Sequence, residues 1–360
     1  MNQFNKISRV LAVVIASMIL FSSFQATVPA QANLDPIVVL YDASHSPQFA
    51  ADDAELGLKL MFDMVNESTR YVMRVHESGV LDDQALNGVD ILIIAGPDSS
   101  DPFSAAEYAG ISEFLANGSS LFVLGDSVIA EESTYWVDGP MQDMGDNIAL
   151  NTFLDDMNIT GPRFSFNVTD TGTWCDTLFD YDHAINETIP WVIQLDTTTW
   201  DSTHPIFRNI NEIVTMTSTL KPLELASGIG NSYDSSFAQY KRDGNSWANY
   251  SSPNMTLAEN PLAYSALNTT RPSWLSAFEY GPSRVTIVGS TMMFTGQLLD
   301  IPDTELQWFY VADNAKLFMN ILEWLSEEFV TAPSAIIPML IISSVILVIG
   351  VVYYLLKKLR

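Results

Sequence analysis

The chain reads as an α/β protein built on a largely parallel sheet covered by helices on both faces. Three observations predict this. Short uninterrupted apolar runs recur at residues 36–41, 90–95, 121–124 and 284–289, the pattern of strands buried on both faces. Stretches with helical periodicity alternate with them. Each run closes on Gly, Pro, Asp or Ser, the residues of tight turns.

Residues 36–41 form the first expected strand, followed by the polar turn Asp42-Ala-Ser-His45-Ser-Pro47. Residues 52–65 carry Leu56, Leu60 and Met64 on one helical face, and 71–75 give a second strand. Residues 90–95 are the clearest strand of the chain, ended by Gly96-Pro97. Ser104-Ala-Ala-Glu107 is a capping box, in which serine and glutamate satisfy orphan N–H groups reciprocally. The helix behind it presents Tyr108, Ile111 and Leu115 and stops at Asn117-Gly118. Residues 121–124 are the next strand. The stretch 128–275 is less regular, rich in Asn, Thr, Asp and Trp, with β-type fragments such as 212–218. It reads as insertions and edge strands around the same sheet. Order returns with a buried strand at 284–289, then an amphipathic helix over 313–329 with Ala315, Phe318, Leu322 and Leu325 on one side.

The two ends are apolar. Residues 335–356 are a 22-residue run without a charge, about 33 Å long as a helix and enough to cross a hydrocarbon core. Lys357-Lys358-Leu359-Arg360 predicts a cytoplasmic tail. At the other end, Lys6 and Arg9 precede an apolar stretch at 10–24, and Ala30-Gln31-Ala32 is a small-x-small cleavage signature. The expected organisation is a signal peptide at 1–32, an α/β ectodomain at 33–329, a linker at 330–334, a membrane helix at 335–356 and a tail at 357–360. Its expected address is a cell membrane, single-pass, with the ectodomain extracellular or lumenal and other membrane proteins as partners.

All 43 acidic residues fall within 33–334 against 11 basic ones, a formal charge of −32. Such a surface repels nucleic acid. Asp176, Asp180 and Asp182 cluster but lack the glycine and terminal glutamate of a calcium loop. The lone Cys175 excludes an intrachain disulfide and a cysteine zinc cluster. His45, His76, His183 and His204 show no metal-ligand spacing, and no phosphate loop or Gly-x-Gly-x-x-Gly is present. No cofactor, metal or catalytic residue is assigned. Asn66, Asn117, Asn158, Asn167, Asn186, Asn249, Asn254 and Asn268 head Asn-x-Ser/Thr sequons, which fits an exported, glycosylated surface.

Ligands of open α/β sheets bind beyond the carboxyl ends of the strands. Asp42, Ser44 and His45 follow the first strand, Asp98 follows Gly96-Pro97, Asp126 and Ser127 follow Gly125, and Ser290 follows Gly289. Parallel strands would bring these turns to one edge, making those seven residues the candidate ligand or partner surface. Gly125-Asp126-Ser127-Val128 lacks the trailing glycine of a nucleophile elbow.

The segments Ile37-Val-Val-Leu-Tyr-Asp-Ala-Ser-His45, Asp90-Ile-Leu-Ile-Ile-Ala-Gly-Pro97, Ile111-Ser-Glu-Phe-Leu through Gly125, Arg284-Val-Thr-Ile-Val-Gly289 and Asn320-Ile-Leu-Glu-Trp-Leu325 resemble the GIFT family. It is named for gliding-motility ABC-transporter accessory proteins and an intraflagellar transport subunit. The resemblance implies a flavodoxin-like sandwich similar to class I glutamine amidotransferases, without their cysteine nucleophile. The layout, with His204-Pro-Ile-Phe-Arg-Asn-Ile210, also resembles the N-terminal region of the forty-eight-kilodalton oligosaccharyltransferase subunit, but lacks that subunit's further β-rich domain. The resemblances and the two apolar ends together imply a non-catalytic, membrane-anchored binding or scaffold ectodomain, an oligosaccharyltransferase accessory in its most specific form. The alternatives are a hydrolase using Asp42 and His45 with Asp126 or Ser127, a surface or transporter accessory, and a cation-dependent adhesion protein.

Overall fold

Apolar runs become strands and amphipathic runs become helices in the order the sequence predicts. The computed structural model describes residues 36–129, 133–137, 141, 144, 147–169, 172–221, 228–240, 262–265 and 271–326. The first half holds β1 (Ile37–Asp42), α1 (Lys59–Glu67), β2 (Tyr71–His76), β3 (Ile91–Ala95), α2 (Ala105–Ala116), β4 (Ser120–Leu124) and α3 (Asn147–Asp156). The middle continues with β5 (Arg163–Phe164), β6 (Phe166–Thr169), β7 (Gly172–Phe179), β8 (Ile193–Asp196), β9 (Glu212–Thr215), β10 (Leu220–Lys221), β11 (Gly228–Asn231), β12 (Phe237–Tyr240) and β13 (Leu262–Ser265). The chain returns through β14 (Ser273–Tyr280), β15 (Ser283–Val288) and α4 (Asn314–Leu325).

The main sheet has the order β2-β1-β3-β4-β15-β14-β10-β5, with β11 also on β14. Its first five strands are parallel, and the strands beyond β15 are antiparallel. The protein is therefore a mixed α/β fold with a largely parallel central sheet. Every residue of β1, β3 and β4 is buried, because helices cover both faces. Val38, Leu40, Leu92, Ile94, Leu121 and Val123 face Phe103 and the Ile111, Phe114 and Leu115 of α2, with Leu150, Phe153 and Leu154 of α3. On the other face Tyr41 meets Phe62 of α1 at 5.2 Å and Phe122 meets Phe318 of α4 at 5.9 Å between ring centroids. Each such side chain contributes about 1.5–3 kcal/mol on burial.

Three elements differ from expectation. The helix after β1 starts at Lys59, not Asp52, and buries Met61, Phe62 and Val65 in place of Leu56, Leu60 and Met64. The cause is local: the Asp53 carboxylate accepts the N–H groups of Glu55 and Leu56, an Asx turn that competes with helix. The middle does more than edge the main sheet. β6, β7, β12 and β13 form a second, four-stranded sheet, and β8 pairs with β9 in a third. Among the described residues only β5, β10, β11 and β14 extend the main one. Helix α4 ends its described course at Leu325, with Ala315 only half-buried. Among the described residues no helix is long and apolar enough to cross a membrane. The expected signal peptide (1–32), linker (330–334), membrane helix (335–356) and tail (357–360) lie outside them.

Candidate functional site

Parallel pairing carries the ends of β1, β3, β4 and β15 to one edge, and hydrogen bonds tie their turns together. Asp98 N–H donates to the His45 carbonyl at 2.9 Å, and Thr291 N–H donates to the Gly125 carbonyl at 2.7 Å. Two glycines of these turns have no room for a side chain, because β5, α3 and the segment after β9 pack against them. A Cβ on Gly125 would meet Phe164 Cε1 at 2.3 Å and Asn147 Oδ1 at 2.6 Å; one on Gly289 would meet the Ser218 carbonyl oxygen at 2.2 Å.

The turn after β1 is built on Asp42. Its Oδ1 accepts Ser44 N–H at 3.0 Å and Ser44 Oγ at 2.6 Å, and its Oδ2 faces His45 Nδ1 at 2.7 Å. On the other side of the ring, His45 Nε2 lies 3.5 Å from Glu107 Oε1. Phe103 stacks on the imidazole at 3.9 Å. Asp42, His45 and Glu107 are all buried. Burial pulls the His45 pKa down, but the hydrogen bond to Asp42 and the charges of Asp42, Glu107 and Asp101 outweigh it, so the group titrates above its ordinary value. Burial pushes Glu107 up, but the N–H groups of Leu81 and Ser104, the Ser104 hydroxyl and the charge of His45 hold it below its ordinary value. Both of its oxygens are engaged, with Leu81 N–H at 3.0 Å and Ser104 N–H at 2.6 Å. Glu107 was legible in the sequence as a capping residue. Its second role, balancing a histidine 62 positions earlier, was not.

The turn after β4 is buried more deeply. Asp126 Oδ1 accepts the N–H groups of Thr291 and Met292 at 2.9 and 3.0 Å, at the start of the 3-10 turn Met292–Phe294. Burial outweighs those donors and raises its pKa to about 7. Asn147 of α3 clasps the backbone of Asp126, accepting its N–H at 2.9 Å and donating to its carbonyl at 2.7 Å. Ser127 Oγ is buried without a hydrogen-bond partner. Ser290 Oγ accepts Met293 N–H at 3.2 Å. Of the seven candidates, Asp42, His45, Asp126, Ser127 and Ser290 are buried, and only Ser44 and Asp98 are half-exposed. Parallel pairing thus carries the turns that hold all seven to one edge, but their side chains do not form one constellation: Asp42 and Ser44 gather around His45, Asp126 bonds the backbone of Thr291 and Met292, and Ser127 joins neither group.

A further His–Asp–Ser group lies in the middle region. Asp180 is buried and accepts Ser236 Oγ at 2.6 Å, Ser235 Oγ at 2.8 Å and His183 Nδ1 at 3.1 Å. Ser235 Oγ meets that same Nδ1 at 3.3 Å. Hydroxyl and carboxylate share one ring nitrogen, so the imidazole cannot relay a proton between them as a triad requires. Asp182 N–H donates to Asp180 Oδ1 at 2.9 Å, whereas Asp176 makes a separate contact. Asp176 instead holds Thr219, its N–H at 2.7 Å, and burial raises its pKa to about 7. Among the described residues no cluster of three His, Cys, Asp or Glu side chains is placed to hold a metal ion. Cys175 is buried and forms no disulfide. Of the sequon asparagines, Asn66, Asn117 and Asn158 are exposed and Asn186 is half-buried; the side chain of Asn167 and residues Asn249, Asn254 and Asn268 lie outside the described set.

No protein-family model matches the chain, and no curated protein matches it by sequence. Among solved structures, the N-terminal domain of mmIFT52 is similar at 17% identity and a TM-score of 0.49, over 80% of this chain and 97% of that one. A protein from Parabacteroides merdae described as ThuA-like is similar at 9% identity and a TM-score of 0.40, over 82% of this chain and 92% of that one. A cytoplasmic protein from Salmonella typhimurium is similar at 11% identity and a TM-score of 0.42, over 80% and 98%. At this level the likenesses assign neither family nor function.

Proposed function

We propose that the chain is a non-catalytic binding or scaffold ectodomain, held at a membrane by its 335–356 apolar run and working with other membrane proteins. The observation that carries this reading is the state of Ser127. It follows β4 where an elbow nucleophile would stand, yet its hydroxyl is buried with no base in hydrogen-bond reach. The histidine nearest in role, His45, faces a carboxylate from each ring nitrogen. Groups arranged this way brace an edge and leave its outer rim, Ser44 and Asp98, to meet a partner. The finer assignments rest on the sequence resemblance: a GIFT-type, class I amidotransferase-like lineage, and an oligosaccharyltransferase, surface or transporter accessory role. Crosslinking in native membranes with a photoreactive residue at Ser44 or Asp98 tests it; labelling of no membrane protein would count against the reading.

One observation favours the hydrolase as a second reading. Ser44 Oγ, His45 Nδ1 and Asp42 lie within 3.3 Å of one another in sequence-local contact. Against it, Ser44 and Asp42 meet the same ring nitrogen. An active-site-directed fluorophosphonate separates the readings: labelling that disappears in Ser44→Ala or Ser127→Ala supports the hydrolase, and no labelling supports the scaffold.

A further inference from the structure

A cleft of about 600 Å³ opens among the segments after β1, β4 and β15. Leu56, Tyr135, Leu298, Leu299, Ile301 and Pro302 give it apolar walls. These walls are fixed from beneath. Buried Asp300 accepts Thr134 N–H at 2.7 Å, Thr134 Oγ1 at 2.6 Å and Trp191 Nε1 at 2.6 Å. Tyr135 donates its hydroxyl to the Leu298 carbonyl and accepts Trp308 Nε1 at 2.7 Å. Backbone groups of the loop are paired as well, with Trp308 N–H on the Gln297 carbonyl at 2.9 Å and Leu299 N–H on the Leu306 carbonyl at 2.8 Å.

Two demands remain unmet in this otherwise satisfied frame. Gln297 lines the cleft at 7% exposure, and its side-chain carbonyl Oε1 is buried with no hydrogen-bond partner. A buried acceptor left this way costs about 1–3 kcal/mol. Leu56 and Leu298, also in the lining, are 52% and 47% exposed. A ligand matched to these features carries a hydrogen-bond donor and an apolar body. Its charge is set by the rim, where Glu55 and Asp303 contribute carboxylates and no lysine or arginine appears. The volume suits a small molecule.

We propose that this cleft binds a small organic cation, an ammonium group on an apolar body. One ammonium N–H meets the Gln297 carbonyl, the charge faces Glu55 and Asp303, and the body lies between Leu56 and Leu298. The inference stands apart from the scaffold reading, since a scaffold could hold such a ligand or lack it.

Calorimetric titration of the full-length chain with hexylamine, hexanol and hexanoate tests it. The expected order of saturable binding is hexylamine, then hexanol, with no uptake of hexanoate. Gln297→Met should weaken hexylamine about tenfold while leaving the ligand-free chain at least as thermally stable, because an orphaned acceptor is removed. The double variant Glu55→Gln/Asp303→Asn, both on exposed rim positions, should weaken hexylamine and leave hexanol unchanged. Hexanoate binding as tightly as hexylamine, no saturable binding of any probe, or unchanged hexylamine affinity in both variants would overturn it.

Discussion

The buried His45 ring sits between two buried carboxyl groups, Asp42 on Nδ1 at 2.7 Å and Glu107 on Nε2 at 3.5 Å, and that arrangement sets what substitution there does. Removing the imidazole takes one partner from each of the buried carboxyl groups of Asp42 and Glu107 and leaves a cavity against Phe103. His45→Ala is expected to cost about 3 kcal/mol in urea unfolding, and a loss below about 1 kcal/mol would mean that the three groups are not in contact. Its pH dependence has a definite sign. A group whose pKa is raised by folding lends stability below its unfolded value and loses it as pH rises through the folded one. His45 belongs to that class, and so do Asp126 and Asp176, both at about 7. Glu107, held low, works the other way but only on acidification. Stability is therefore expected to fall as pH rises from about 4 through about 7 and beyond. Asp126→Asn keeps an acceptor for Thr291 and Met292 but cannot ionise. It should flatten the slope by on the order of 3 kcal/mol across about pH 4–7, read from urea midpoints; an unaltered slope would assign the titration elsewhere.

At the level of elements, the parallel strands were legible because burial on both faces writes them as unbroken apolar runs. The helix α2 was legible because its capping box is local: Ser104 and Glu107 are three positions apart. Ser104→Ala is expected to cost about 1 kcal/mol by thermal unfolding. Elements that depend on distant partners were not legible. Helix α3 hides its periodicity because two of its inward residues are polar, Asn147 clasping Asp126 and Asn151 holding Phe164 through paired bonds of 2.9 Å. Strand β14 reads as mixed, Ser273-Trp-Leu-Ser-Ala-Phe-Glu-Tyr280, since its inner end is buried and its outer end is not. The same blindness applies to the glycines. Gly125 and Gly289 look like turn residues, and only the fold shows the neighbours that exclude a side chain. Gly289→Ala presses a methyl group onto the Ser218 backbone, so a loss of about 2–3 kcal/mol is expected, measured against Gly281→Ala, where no atom lies within 4 Å but the backbone φ is +59°.

For the whole molecule, parallel pairing of β1, β3, β4 and β15 decides where the predicted turns lie, and burial decides how much of them is exposed. The four turns do meet at one sheet edge. Their most chemical residues, His45, Asp126 and Ser127, are buried; His45 meets Glu107, and Asp126 meets Asn147 and Thr291 at the 3-10 turn after β15, contacts that span 62, 21 and 165 positions and leave no mark on local pattern. An internal brace thus lies behind an external rim, and site-specific photocrosslinking in native membranes reads out whether that rim meets a partner. Probes at Ser44 and Asp98 on the rim are compared with one at Asp63, exposed on α1. The two rim probes are expected to label the same membrane protein, and the Asp63 probe is expected not to label it. No label from the rim, or equal label from all three, would contradict this expectation.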